Sequence, residues 1–300
     1  MEQSMAEERM RSDLALEQLD DSASGKAGVE VKREEIGKLC LHRLSIQTEE
    51  AAARLRKPKG NYLTLEFGRV SRLDRESERT LLDLLAKELK SLAKELTNRE
   101  VDGEFHLLVA GLGNASLTAD AVGPLTVEKL SATRHLRRVE PELYKTLGCA
   151  SLSCLSPGVL GQTGVESAEL LLGVVREIRP HLVLVVDALA ARECDHLFSS
   201  IQLSDAGIEP GSGVGNHRAA LSRETLGVPV LSLGLPTVVN SATLVKEALS
   251  KSGVEESDLL SALLSNQKSF FVLPKDSDFL VEQSASLLAA AIRRAFTPGL

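Results

Sequence analysis

The sequence predicts an α/β fold in which a mostly parallel sheet is covered by helices on both faces. Apolar runs of strand length alternate along the chain with longer stretches of helical periodicity, the pattern of strands joined by crossover helices. The core filler agrees: 43% of the 300 residues are hydrophobic, yet the chain has no Trp, two Tyr and seven Phe. Layers of Leu, Val, Ile and Ala between helices and a sheet suit that composition.

In chain order, residues 1–35 are rich in charged residues, Ser and Gly, with few large apolar side chains, so no ordered core is expected there. This segment reads as a charged, disordered or removable tail, and 36–300 as a single domain. Tyr62 to Phe67 reads as a strand, and Leu81, Leu85, Leu89, Leu92 and Leu96 recur at helical spacing through residue 97. The run Phe105 to Ala110 has the length of a buried strand and stops at Gly111-Leu112-Gly113-Asn114, after which a helix takes Val122, Leu125, Leu130 and Leu136. Thr163 and Glu166 have capping-box spacing at the head of a helix that Pro180 closes. A strand over Leu182 to Val186 follows, then strands at 198–203 and 229–235, and helices at 241–250 and 255–265. A short strand at 270–273 and a helix at 278–296 complete the chain.

Several functions are disfavoured at once. A formal charge of -7 argues against general affinity for nucleic acid. Cys40, Cys149, Cys154 and Cys194 form no CxxC pair and read as reduced thiols. The charged amino terminus lacks an apolar targeting core, and no apolar run approaches about 18 residues, so a cytoplasmic protein with no membrane partner is expected. No Gly-x-x-x-x-Gly-Lys-Ser/Thr motif occurs, and Gly211-Ser212-Gly213-Val214-Gly215-Asn216 follows Pro210 rather than a strand, against a dinucleotide site. It reads instead as a loop beside a cleft, with Gly211, Ser212, Gly213 and Gly215 binding extended substrate. None of the six histidines forms an HExxH-type pair. The sequence requires no cofactor; a divalent metal held by Asp120, Asp187 and a distant histidine stays open.

In parallel sheets, ligands and catalytic groups gather beyond the carboxyl ends of the strands. Two aspartates stand there: Asp120, after the glycine turn, and Asp187, directly after five apolar residues. Each has a structural alternative, Asp120 as a helix-start acid and Asp187 as an acid bonded to backbone amides or Arg192. If both face one cleft, repulsion and burial raise one pKa and leave a neutral acid beside an ionised base, a pair suited to peptide hydrolysis. Asp205, after Ile201-Gln202-Leu203-Ser204, is a third acid, for substrate binding or loop structure.

The motifs Gly111-Leu112-Gly113-Asn114, Thr118-Ala119-Asp120-Ala121-Val122-Gly123-Pro124, Ser156-Pro157-Gly158-Val159 and Gly161-Gln162-Thr163-Gly164-Val165-Glu166 resemble the germination proteases of endospore-forming bacteria. So do Asp187-Ala188-Leu189-Ala190-Ala191-Arg192, Ile201 to Ile208, Pro210 to Asn216 and Gly234-Leu235-Pro236-Thr237-Val238-Val239. The resemblance implies an endopeptidase of the spore core that degrades small acid-soluble spore proteins during germination. It also implies a zymogen and a homotetramer, with the essential aspartates at Asp120 and Asp187 and Asn114 in the adjoining motif. Arg11 to Glu17 resembles the self-processing region, which puts the cleavage near Asp13-Leu14. Ala119 and Ser167 depart from the family's usual Pro and Thr. A more distant similarity to hydrogenase maturation peptidases implies their α/β fold; the rival readings are a metal-dependent maturation-type peptidase or a non-catalytic scaffold.

Overall fold

The computed structural model describes residues 12–19, 27–214, 218–253 and 270–300. The expected helix at 255–265 lies outside them. The strands are β1 (Val29–Ile36), β2 (Leu39–Ile46), β3 (Gly60–Glu66), β4 (His106–Gly111), β5 (Ser151–Leu155), β6 (Leu182–Ala191), β7 (Ser200–Ser204), β8 (Val230–Asn240) and β9 (Phe271–Val272). The longer helices are α1 (Glu49–Leu55), α2 (Arg75–Thr97), α3 (Val122–Glu128), α4 (Pro141–Leu147), α5 (Ser167–Ile178), α6 (Ser241–Lys251) and α7 (Ser277–Phe296).

Among the described residues these strands form a single sheet in the order β1-β2-β3-β7-β8-β6-β4-β5, with β9 paired to β8. The expected parallel arrangement holds for β8, β6, β4 and β5. The other half, β1, β2, β3 and β7, is antiparallel, as is its join to β8. Period-two alternation divides the core: Leu182, Leu184 and Val186 face α2, α3 and α7, whereas Val183 and Val185 face α5. Helices therefore cover both faces of the parallel half.

The sequence reading differs from the structure at several elements. Strands β6 and β8 run beyond the predicted ends at 186 and 235, because their continuations carry Asp187, Pro236 and Thr237 rather than an unbroken apolar run. The hairpin of β1 and β2 passes unseen, since β1 reads VEVKREEI and is mostly exposed. The helix predicted to start at Thr163 begins at Ser167; Gly164 takes a left-handed conformation (φ +72°), and the Glu169 carboxylate accepts from the Glu166 N–H at 3.2 Å.

The largest difference lies before residue 36. Ser12–Leu19 is not a loose tail: Leu14 and Ala15 are fully buried, and Glu17 is 2% exposed. Specific hydrogen bonds and small pockets hold it, and composition averaged over 35 residues does not register them.

Candidate active site

Two glycines bring the parts of the site together. A Cβ on Gly123 would lie 2.2 Å from the Leu112 carbonyl oxygen and 2.5 Å from that of Val186, and one on Gly111 would lie 2.2 Å from the Gly123 oxygen. The start of α3 thus rests directly on the backbones at the ends of β4 and β6. The chain between them, 112–121, folds over the end of β6, and Asp120 lines the same cavity as Asp187, a space of about 510 Å³.

Each aspartate is held by backbone. Asp120 accepts from the Asn114 N–H at 2.9 Å, and its own N–H donates to Leu117 at 2.8 Å. Asp187 is 5% exposed and accepts from the Ala188 N–H at 3.0 Å. A bulge between Leu189 and Ala190 leaves Thr237 of β8 without a partner on β6. Thr237 donates its hydroxyl to the Ala119 carbonyl at 2.7 Å, tying the Asp120 turn to the sheet. The contribution of Ala119 is its carbonyl, which proline would supply equally. Likewise, Ser167 donates its hydroxyl to the Gly158 carbonyl at 3.0 Å, a bond that threonine can also make.

The electrostatics separate the pair. Burial raises the Asp120 pKa, opposed by the Asn114 N–H. Asp187 is raised well above its ordinary 3.8, first by burial and then by the negative charges of Asp120 and Asp13. Asp187 therefore keeps its proton to higher pH than an exposed aspartate does, because ionising it beside Asp120 would bury a second negative charge in one cleft.

Across this cleft lies the N-terminal segment. Asp13 donates its N–H to the Ala190 carbonyl at 2.8 Å. Its carboxylate accepts from the Ala190 N–H at 2.9 Å and from the Ser212 hydroxyl at 2.9 Å. Its carbonyl accepts from Lys57 Nζ at 3.0 Å and Gln202 Nε2 at 3.1 Å, while the Gln202 amide oxygen accepts from the Ala15 N–H at 2.7 Å. Leu14 is buried against Leu189, Ala191 and Val239. Asp13 lines both the aspartate cavity and a second one of about 480 Å³ that Lys57 and Gln202 also line. Burial lowers the Lys57 pKa, opposed by the charges of Asp13, Glu209 and Glu17.

Downstream, Glu17 anchors the segment. Its carboxylate accepts from the N–H groups of Arg192 at 2.6 Å and Glu193 at 2.9 Å, from the Ser12 hydroxyl, and from His196 Nδ1 at 2.5 Å. The His196 Nε2 lies 3.0 Å from Glu66. Burial works against the His196 cation, but the bonds to Glu17 and Glu66 outweigh it and raise its pKa to about 10.

Of the sequence candidates, Asp120, Asp187, Asn114, Gly211 and Asp13 line the aspartate cavity. Ser212 and Gly213 meet Asp13, and a Cβ on Gly213 would come within 2.2 Å of its carboxylate. Gly215 and His217 lie outside the described residues. Asp205 lies apart: it accepts from the Asn61 N–H at 2.6 Å and the Asn61 side-chain amide at 2.7 Å, joining β7 to β3. Among the described residues the loop holds Asp13 through the Ser212 hydroxyl, and the amide that bonds its carboxylate is that of Ala190 on β6. Among the described residues no histidine lines the aspartate cavity. Lys57, His196 and Glu17 were missed because their roles depend on distant partners. Gln202, a polar residue between Ile201 and Leu203 on a buried strand, was the one that alternation could have flagged.

A buried aspartate on a parallel strand and a half-buried one on the turn after its neighbour share one cleft of an α/β protein, and a segment of the same chain reaches into it. The family model described as germination protease matches residues 4–252, and the chain belongs to that family. It is 35% identical over 318 residues to a germination protease of Clostridium acetobutylicum, an alignment covering 97% of this chain and 96% of that one. To a Geobacillus relative it is 42% identical, over 78% of this chain and 62% of the relative's length. To one from Priestia megaterium it is 39% identical, over 80% of this chain and 66% of that one. A solved [NiFe] hydrogenase maturation protease, HycI from Thermococcus kodakarensis, matches 66% of this chain and 98% of its own at 17% identity, with a TM-score of 0.31.

Proposed function

We propose that this protein is an endopeptidase that hydrolyses small acid-soluble spore proteins during germination, and that it is made as a zymogen that cuts itself at Asp13-Leu14. The observation that carries this reading is the seating of Asp13 in the cavity that Asp120 and Asp187 line, gripped on side chain, amide and carbonyl as a substrate would be. Lys57 and Gln202 hold the carbonyl of the Asp13-Leu14 bond, and Asp13 also lines the aspartate cavity.

In this mechanism Asp120, the more readily ionised member, takes a proton from water as its oxygen attacks the Asp13 carbonyl carbon. Lys57 and Gln202 stabilise the developing oxyanion. Asp187 gives its proton to the Leu14 nitrogen as the C–N bond breaks, and proton exchange within the pair restores the starting state. A spore protein then enters the groove that the processed segment vacates. Assembly as a homotetramer in the cytoplasm of the spore core belongs to the same proposal; sedimentation velocity tests the assembly. Among the described residues no helix is long and apolar enough to cross a membrane.

The test is intact-mass measurement of the purified chain over time, with and without a small acid-soluble spore protein, for the native sequence, Asp120→Asn and Asp187→Asn. The expected result is loss of residues 1–13 and discrete substrate fragments, both abolished in either variant. Cleavage persisting in both variants would remove the aspartates from the mechanism, and absence of cleavage by the native chain would favour a scaffold.

A further inference from the structure

Away from the cleft, among the described residues, Cys40, His42 and Glu66 bring one donor atom each to within 4.8 Å of one another. Strand geometry places them. Cys40 and His42 are two residues apart on β2 and share a face, and Cys40 is in register with Glu66 of β3. Cys40 Sγ lies 3.2 Å from His42 Nε2, which lies 2.9 Å from Glu66 Oε2.

Thiolate, imidazole and carboxylate are the three donor types that zinc accepts, and three protein donors leave a fourth position for water. Tetrahedral zinc, with bonds of about 2.0–2.3 Å, separates its donors by roughly 3.3–3.7 Å. The Cys40–His42 and His42–Glu66 spacings need open by only a few tenths of an ångström, and the Cys40–Glu66 separation is no more than 4.8 Å. The thiolate selects zinc over magnesium or calcium, which prefer oxygen. Arg33 Nε donates to Cys40 Sγ at 3.1 Å, and Arg33 also pairs with Glu35 at 3.0 Å; its side chain is 63% exposed and free to swing into water. Behind the cluster, the other oxygen of Glu66 accepts from His196 at 3.0 Å. That contact fixes the carboxylate as an outer-shell partner does.

We propose that Cys40, His42 and Glu66 form a zinc-binding site on the antiparallel half of the sheet. Through Glu66 and His196 it is joined to Glu17, the anchor of the N-terminal segment.

The test uses the full chain, reduced, desalted and titrated with Co²⁺, then with Zn²⁺. A thiolate-to-cobalt charge-transfer band that saturates at one equivalent and is displaced by Zn²⁺ is expected. It should vanish in Cys40→Ser, weaken with at least an about tenfold loss of affinity in His42→Ala, and persist in Cys154→Ser. Far-UV circular dichroism of each variant confirms folding, and either Cys40→Ser or His42→Ala in a folded state suffices. Absence of the band in the native chain, its survival in folded Cys40→Ser, or an undiminished affinity in folded His42→Ala overturns the site.

Discussion

Replacing Glu17 with Ala should release the N-terminal segment while leaving the sheet intact. The carboxylate accepts from two backbone amides, the Ser12 hydroxyl and His196, whose other nitrogen is satisfied by Glu66. Hydrogen bonds to a charged group are worth about 1.5–3 kcal/mol each, and removing one partner of a buried ion pair costs about 3–5 kcal/mol. Release of the segment lets water reach the orphaned amides and imidazole, so the loss is capped near the lower figure. About 3 kcal/mol corresponds to roughly a hundredfold fall in the docking equilibrium. Hydrogen exchange measures it directly: the Asp13 N–H bonded to Ala190 and the Ala15 N–H bonded to Gln202 should lose protection by about that factor, while β6 keeps its own. Unchanged protection at Asp13 and Ala15 would refute the anchoring role. Equal loss across β6 would show that the segment is part of one cooperative core and not a docked peptide.

Further outcomes follow from the same geometry. The His196 pKa is raised to about 10 from 6.5, so its contribution to folding stability is complete below pH 6.5 and is lost as pH rises through about 10, measurable in urea unfolding at several pH values. Asp187 is also raised in the folded state, so its protonated form favours folding and that advantage fades above pH 3.8. Asp187→Asn should therefore gain stability over the native chain as pH rises from 3.8, in urea unfolding at several pH values. Gly213→Ala places a methyl 2.2 Å from the Asp13 carboxylate and should open residues 12–14 to added protease while the melting temperature stays within a few degrees. Gly123→Ala drives a Cβ into the Leu112 and Val186 carbonyls and should cost at least about 1–3 kcal/mol of global stability in denaturant unfolding.

The sequence by itself determined the α/β class, the strand cores at 106–110 and 182–186, and the long helices α2 and α7, because apolar periodicity is a local property that burial enforces residue by residue. It also marked Asp120 and Asp187, since an acid following an apolar strand or a glycine turn stands out against its neighbours. Only the tertiary structure decided that half of the sheet is antiparallel, that Asp205 braces Asn61 outside the cleft, and that Ser12, Leu14, Ala15 and Glu17 are buried. Those facts depend on pairings across long separations: Glu17 with His196, Asp13 with Ala190 and Ser212, Lys57 with the Asp13 carbonyl. A charged segment with few large side chains looks solvated in the linear chain. Where backbone amides, a histidine and a lysine converge on its polar atoms, the same segment is held in place, because buried polar groups are stable when every one of them finds a partner.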